Sequence, residues 1–192
     1  MYTVSLLLHI TNSYLNNSEG AANRFPDKCD SDPEGTRALN ITATASLAKY
    51  CAAHSILLIY ISTDYVFPGI EGEAPYEITS SPKPPNLYGE TKYEGEKALL
   101  KEYEEAGQKG LGVVLRVPVL YGEAENPQES AVNTLMTSIW KAQEKGANVS
   151  MDHWARRFPT NTEDVGRVCQ GIIFLQIHIA HTANPISSRH RH

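Results

Sequence analysis

The stretch LLIYISTDYVFPG, residues 57–69, determines the fold class of this 192-residue chain. It begins as a continuous apolar run rich in β-branched residues, which is typical of a strand buried on both faces, and that run ends at Ser62 and Thr63. A loop rich in Pro and Gly follows, up to residue 85. The sequence therefore predicts a central parallel strand that brings two hydroxyl side chains to one edge of a sheet.

Stretches with helical periodicity lie on both sides of this strand. Residues 36–54 precede it and YGETKYEGEKALLKEYEEA, residues 88–106, follows it. The next apolar run, VVLRVPVLYG at 113–122, predicts a second strand that ends at the same edge. Two more helices are expected further along, within 129–146 and 160–174. This alternation predicts an α/β fold with a parallel sheet.

The composition narrows the protein class. A chain of 192 residues with 41% apolar content can form one domain with a sizeable core. The net charge of −5 comes without a block of like charge, which argues against nucleic-acid binding and against attraction to a membrane surface. Cys29, Cys51 and Cys169 form no CxxC pair, so we expect neither disulfides nor a zinc site, and a cytoplasmic location.

The apolar segments near the two ends are not expected to cross a membrane. Residues 1–18 contain a short apolar run without the basic residues of a signal peptide, and either a core strand or an unstructured start fits them. Residues 171–183 are apolar over less than the roughly 20 residues that a spanning helix requires. The seven histidines show no ligand spacing, so no metal site is expected.

Tyr88 and Lys92 form the candidate chemical site. On a helix, residues four apart project from one face, so the ammonium group can lower the pKa of the phenol and suit it to acid–base work. A hydroxyl from Thr63 or Ser62 could hold a substrate oxygen, because open α/β sheets bind ligands at the carboxyl edge. Chance occurrence of Tyr-x-x-x-Lys is the alternative, and the Ser-Thr strand end favours the functional interpretation.

Three motifs in combination, YISTDYVF, PPNLYGETKYEGEKAL and LRVPVLYGE, resemble the extended short-chain dehydrogenase/reductases, in the dTDP-4-dehydrorhamnose reductase (RmlD-like) branch. The stretches ESAVNTL and MDHWARRFPTNTEDVGRVC are most similar to the regulatory, non-catalytic methionine adenosyltransferase β subunits of that branch. The resemblance extends from about Gly20 to Cys169. It implies a Rossmann-like, doubly wound parallel sheet.

The resemblance also implies roles for individual residues. Thr63, Tyr88 and Lys92 match the catalytic hydroxyl, the acid–base tyrosine and the lysine that also holds the nicotinamide ribose. Asn40 matches the asparagine that supports this lysine. The residues that match the NADP site are Ala21, Ala22, Ser62, Tyr88, Lys92, Val119 and Leu120. The residues that match contacts to a substrate or partner are Phe67, Asn86 and Arg157. For Arg157, surface stacking on Trp154 or Phe158 is the alternative.

The sequence departs from the family pattern at both ends. It contains no Gly-x-x-Gly-x-x-Gly turn, whose helix N-terminus would bind pyrophosphate, so we expect an incomplete Rossmann-like sheet without its N-terminal βα units. The expected organisation is an unassigned segment at 1–19, a partial NAD(P)-binding, RmlD-like domain at 20–170 and an aberrant tail at 171–192. NADP is the cofactor that the family implies, and its binding by this chain is doubtful.

Three functional hypotheses follow from the resemblance. The first is a cytoplasmic regulatory protein of the β-subunit type, whose full-length form acts in S-adenosylmethionine synthesis by binding the methionine adenosyltransferase catalytic subunit. The second is an NADP-dependent sugar-nucleotide reductase that uses Thr63, Tyr88 and Lys92. The third is a truncated product with neither activity. The MDHWARRFPTNTEDVGRVC stretch favours the first, whereas the intact Thr, Tyr and Lys keep the second open.

Overall fold

The structure is a computed structural model that describes residues 26–123, 130–150 and 157–183. Its helices and strands alternate as the sequence predicts. The helices are α1 (Pro26–Ser31), α2 (Pro33–Arg37), α3 (Thr44–Ala53), α4 (Leu87–Glu105), α5 (Ala131–Ala142) and α6 (Thr162–Ala183). The strands are β1 (Leu58–Thr63), β2 (Gly112–Val117), β3 (Leu120–Tyr121) and β4 (Thr160–Asn161). A π-helical turn, Ala38–Ala43, joins α2 to α3, and short 3-10 turns stand at Asp64–Val66 and Lys109–Leu111.

The strands β1 and β2 pair in parallel, from Leu58 opposite Gly112 to Thr63 opposite Val117. The prediction of an α/β fold with a parallel sheet whose strands end at one edge is thereby confirmed. The predicted single strand over 113–122 is wrong in its extent. Pro118 has no backbone N–H to donate, so β2 stops before it, and the chain resumes as β3, which pairs with β4 instead.

Helix α4 packs against β1 and β2 and contributes Leu99 and Tyr103 to the core. Asn86 begins the helix because its side-chain oxygen accepts a hydrogen bond from the backbone N–H of Gly89 at 2.8 Å. Gly95 allows the helix to approach closely, since a Cβ there would overlap with the Tyr60 hydroxyl and the Asn40 carbonyl oxygen. The helix that the sequence predicts after Asn86 is therefore confirmed.

A single apolar cluster joins α3, β1 and α4. Its buried members are Ala48, Cys51, Ala52, Leu58, Leu99 and Tyr103. The Tyr103 hydroxyl donates to the carbonyl oxygen of Ile56 at 2.7 Å, which satisfies the polar end of a buried ring. This cluster lies under one face of the sheet, so α3 and α4 share that face.

Helix α6 extends the chain beyond the sheet. Asn161 caps its start, because its side-chain oxygen accepts a hydrogen bond from the backbone N–H of Glu163 at 2.8 Å. The helix continues to Ala183, and Gln176 donates to the carbonyl oxygen of Gly110 at 2.7 Å. It thus runs across the predicted domain boundary at residue 170, and the division into three segments stays a prediction. In the described ranges, no helix combines the length and the apolar character needed to span a bilayer.

Leu99→Ala is expected to lower the free energy of unfolding by about 2–5 kcal/mol, because it leaves a cavity beneath the sheet. The neighbouring Leu100 is 46% exposed whereas Leu99 is 0% exposed. Leu100→Ala is therefore the matched control, with an expected change within about 0.5 kcal/mol. Urea unfolding followed by circular dichroism measures both, and equal losses would contradict the position of the core.

Candidate active site

The carboxyl end of β1 brings the first predicted site residues together. Ser62 and Thr63 are both buried there. The Thr63 hydroxyl oxygen accepts a hydrogen bond from the backbone N–H of Tyr65 at 3.2 Å, which caps the 3-10 turn that follows the strand. This turn sets the Tyr65 ring edge-on to the Tyr88 ring, with centroids 6.0 Å apart. The predicted approach of the strand end to the start of α4 is confirmed.

Tyr88 lies in the first turn of α4 beside Thr63. Burial raises the pKa of the Tyr88 phenol to about 12, and a hydrogen bond with the Thr63 side chain partly offsets that shift. Nearby Cys29, Asp64 and Tyr65 raise the pKa further, and Lys92 is not among the groups that shift it. The expectation that Lys92 lowers the pKa of Tyr88 is therefore wrong for this structure. Desolvation of the phenolate is the largest cause of the shift.

Lys92 is directed towards the sheet. It is 4% exposed, and its Nζ lies 3.9 Å from the centroid of the Tyr60 ring, in a cation–π contact. Burial lowers the pKa of Lys92 to about 8, while the nearby Glu96 carboxylate opposes that shift. Tyr88 and Lys92 lie on the same helix, as the sequence predicts. The ammonium group of Lys92, however, contacts the ring of Tyr60 from β1.

A buried polar unit below the site was not predicted. Glu96 accepts two hydrogen bonds from Arg116 Nε, at 3.0 and 3.2 Å, and one from Nη2 at 2.6 Å. It also accepts a short hydrogen bond from the Ser62 hydroxyl. The side chain of Glu96 is 3% exposed and that of Arg116 is 25% exposed. A charged residue inside the apolar run VVLRV and a carboxylate four residues after Lys92 were the sequence signals for this unit.

The other predicted residues are engaged with the protein itself. Phe67 stacks on Tyr76 with centroids 4.6 Å apart, and the Arg116 guanidinium lies 5.1 Å from the Phe67 ring. Arg157 donates to the Tyr65 hydroxyl at 2.7 Å, and its guanidinium lies 5.5 Å from the centroid of the Tyr65 ring, whereas Trp154 lies outside the described residues. This contact brings a cation to the rim of the site, where it faces the turn that carries Asp64.

Three more of the predicted site residues act in a helix cap or in backbone pairing. Asn86 caps α4 through its side chain, as described above. The carbonyl oxygen of Val119 accepts a hydrogen bond from the backbone N–H of Thr160 at 2.9 Å. Leu120, in β3, lies opposite Thr160, in β4, in the parallel pairing of these two strands. The side-chain amide of Asn40 donates to Thr91 at 3.0 Å, next to Lys92 on α4. Ala21 and Ala22 lie outside the described residues. The described ranges hold no cluster of side chains able to bind a metal.

Replacing Lys92 with methionine is expected to change the pH dependence of stability. The folded-state pKa of about 8 lies below the ordinary value of 10.5, so from pH 8 to 10.5 the native state releases a proton that the unfolded state keeps. Stability of the natural protein therefore rises with pH through that window, by at most about tenfold in the folding constant per pH unit. Lys92→Met removes this rise and stabilises the protein most below pH 8.

Urea unfolding of the natural protein and the variant from pH 6 to 10 measures this difference. Lys97→Met is the matched control, because the Lys97 side chain is 50% exposed on the same helix. A constant stability difference between the natural protein and Lys92→Met across the range would show that Lys92 is not desolvated.

The amino-acid sequence is similar to those of curated proteins. Methionine adenosyltransferase 2 subunit beta from Bos taurus is 48% identical over 151 residues, which are 78% of this chain and 42% of that protein. The chain thus spans about two fifths of the length of the curated relatives that it matches.

The solved structures identify the fold and the family. The dTDP-4-dehydrorhamnose reductase from Clostridium acetobutylicum superposes with a TM-score of 0.65 and 27% identity, over 80% of this chain and 49% of that chain. The reductase from Bacillus anthracis, in complex with NADP, gives a TM-score of 0.54 and 28% identity, over 65% and 40%. The predicted Rossmann-like fold is confirmed. Residues 11–186 match the family model of the RmlD substrate binding domain. The chain therefore belongs to the RmlD substrate-binding family.

Proposed function

We propose that this chain acts as a regulatory, non-catalytic protein of the methionine adenosyltransferase β-subunit type. Together with a β-subunit-type C-terminal tail, it influences S-adenosylmethionine synthesis in the cytoplasm by binding a catalytic subunit. The observation that carries this proposal is the identity with the bovine β subunit, which extends over most of the chain and is much higher than the identity with the solved reductases. Arg157, at the rim of the site, is the proposed contact for a partner carboxylate.

The chemistry of the described site supports a regulatory role. A tyrosine with a pKa of about 12 is poorly matched to proton transfer near neutral pH. The Lys92 ammonium rests on Tyr60, and the Ser62 hydroxyl is held by Glu96, so neither group is presented to a nicotinamide ribose as it stands. The described residues thus do not fit NADP in this arrangement.

An NADP-dependent sugar-nucleotide reductase is the second candidate. The observation that favours it is the contact between the side chains of Thr63 and Tyr88 at the carboxyl edge of the sheet, where such folds bind their ligands. In this alternative, Thr63 holds the substrate oxygen, Tyr88 supplies the proton and Lys92 anchors the ribose. It requires Lys92 to leave the Tyr60 ring when the cofactor binds.

Binding to a methionine adenosyltransferase catalytic subunit tests the first proposal. The family resemblance implies that a C-terminal tail anchors the β subunit, so we compare this chain with a fusion to the part of the bovine β subunit that follows the matched region. The fusion is expected to bind, and the chain alone to bind at least about a thousandfold more weakly, because interface energy is concentrated in a few anchors. Biolayer interferometry measures both affinities.

Two controls make the result decisive. A fusion with a scrambled bovine tail has the same length and composition, and the intact bovine β subunit shows that the assay works. Equal affinities of the chain and the fusion would show that the tail is not the anchor. If neither binds while the bovine subunit does, the regulatory proposal is wrong, and the reductase or an inactive product is favoured.

A measurement of NADP binding is a second way to distinguish the regulatory protein from the reductase. We expect this chain to bind NADP with a dissociation constant weaker than micromolar. The sequence has no glycine-rich turn to supply charge-assisted hydrogen bonds to pyrophosphate, each worth roughly 1.5–3 kcal/mol. Isothermal titration calorimetry measures the affinity, with the Bacillus anthracis reductase as the positive control. Micromolar or tighter binding that is lost in Lys92→Met would favour the reductase.

A further inference from the structure

The connection between β1 and α4 contains a Ser-Pro pair, Ser81 and Pro82, that the candidate active site does not use. Of the eleven prolines in the sequence, Pro82 is the only one that directly follows a serine or a threonine. Proline-directed protein kinases select such pairs, because the part of their cleft that receives the next residue has no acceptor for a backbone N–H, and proline has no N–H. The sequence therefore offers a single acceptor position to this class of enzyme.

The backbone around Ser81 suits binding to a kinase. Protein kinases hold the acceptor segment in an extended conformation, and a residue that precedes proline is biased towards that conformation. Residues 81–84 lie in neither a helix, a strand nor a turn. The backbone N–H of Lys83 donates to the carbonyl oxygen of Val66 at 2.9 Å, which attaches the segment to the turn after β1. Ser81 therefore lies in an irregular surface segment, just before the point where that segment joins the body of the protein.

The Ser81 hydroxyl is accessible to an enzyme. Ser81 is exposed, and its side chain makes no hydrogen bond with another described residue. The adjacent Ser80 differs in both respects, since it is half-buried and its hydroxyl oxygen accepts a hydrogen bond from the backbone N–H of Glu77 at 2.9 Å. Ser80 and Ser81 therefore form a matched pair for an experiment, because the fold engages one hydroxyl and leaves the other available.

The residues just before Ser81 are held weakly. Within the described part of the chain, the hydrogen bonds of residues 77–80 are both local: the N–H of Glu77 donates to the Ser80 hydroxyl, and the N–H of Ser80 donates to the carbonyl oxygen of Glu77 at 3.0 Å. Ile78, between them, is 92% exposed. Segments with exposed hydrogen bonds and few buried apolar contacts open at a much lower free energy than the whole domain. A kinase can therefore bind residues 77–82 without unfolding the sheet.

We propose that Ser81 is a phosphorylation site for a proline-directed protein kinase. In the reaction, Oγ of Ser81 attacks the γ-phosphorus of ATP, the bond from that phosphorus to the bridging oxygen breaks, and ADP leaves. The hydroxyl proton passes to the catalytic aspartate of the kinase. The product carries about 1.5–2 additional negative charges at residue 81 near pH 7. The site exists whether the protein is a regulatory subunit or a reductase.

A cation for the phosphate lies in the same cleft as Ser81. Ser81 and Lys83 both line a surface cleft of about 500 Å³, together with Glu73 and Tyr76. Lys83 is exposed and forms no ion pair with another described residue. The Glu73 carboxylate accepts a hydrogen bond from the Tyr76 hydroxyl at 3.2 Å. Because opposite charges attract and like charges repel, we expect the phosphate to pair with Lys83 and to stay away from Glu73.

Phosphorylation of the folded full chain tests the proposal. The chain is incubated with ATP and a purified mitogen-activated protein kinase, and mass spectrometry locates the phosphate. Transfer to Ser81 is expected in the natural chain and in Ser80→Ala, and none is expected at this position in Ser81→Ala. Pro82→Ala keeps the hydroxyl and is expected to reduce transfer by about tenfold or more, because alanine brings an N–H that the kinase cleft cannot satisfy. Circular dichroism shows whether each variant is folded.

Three results would overturn the proposal. The first is no transfer to the folded chain while myelin basic protein is phosphorylated in the same mixture. The second is equal transfer to the natural chain and to folded Pro82→Ala, since the proline would then not direct the kinase. The third is phosphate on Ser80 in place of Ser81.

Phosphorus-31 nuclear magnetic resonance of the phosphorylated chain tests the pairing with Lys83. A nearby ammonium group stabilises the dianion, so the second pKa of the phosphoserine is expected to be lower in the natural chain than in Lys83→Gln, by about 0.2–0.7. Lys101→Gln is the charge-matched control, because the Lys101 side chain is 70% exposed on α4, and it is expected to leave this pKa unchanged. Equal values in the natural chain and in Lys83→Gln would overturn the pairing.

Discussion

The bidentate ion pair between Glu96 and Arg116 is the constraint on which the described site depends. Glu96 lies on α4 and Arg116 on β2, while the Ser62 hydroxyl of β1 donates to the same carboxylate. One side chain therefore joins the helix to both strands of the sheet. Removing Arg116 leaves the buried Glu96 carboxylate without its cation, and such a loss typically costs about 3–5 kcal/mol in a buried pair. The register between α4 and the sheet, and with it the position of Tyr88 and Lys92, is fixed by this contact.

Desolvation dominates the electrostatics above this ion pair. Tyr88 is partly buried and Lys92 is buried, and desolvation moves the pKa of the phenol up and that of the ammonium down. Each shift favours the neutral form of its group, so the site has little of the charge separation that a proton-transfer pair needs. A regulatory protein can retain such a site as part of its core, which reconciles reductase-type residues with the stronger similarity to β subunits.

Sequence reasoning succeeded where short-range patterns decide the outcome. The apolar run before Thr63 and the helix after Asn86 were both located correctly, because a cap and a change in period mark their ends. The predictions from sequence were wrong where contacts with residues distant in the chain decide the structure. Pro118 ended β2 early and the chain then paired with β4, which lies some forty residues away. The partner of Lys92 proved to be Tyr60, since the depth of the side chain depends on how closely Gly95 lets α4 approach the sheet.

The fold class, the parallel order of the two main strands and the residues at their carboxyl edge can all be read from the amino-acid sequence. These follow from periodicity, caps and the geometry of crossovers, all of which are local or general rules. The tertiary structure alone decided the electrostatics. Whether a lysine four residues from a tyrosine activates that tyrosine depends on what surrounds both groups. In this protein a ring from β1 and the Glu96–Arg116 pair occupy the space beside the helix, so burial rather than spacing sets the pKa of both side chains.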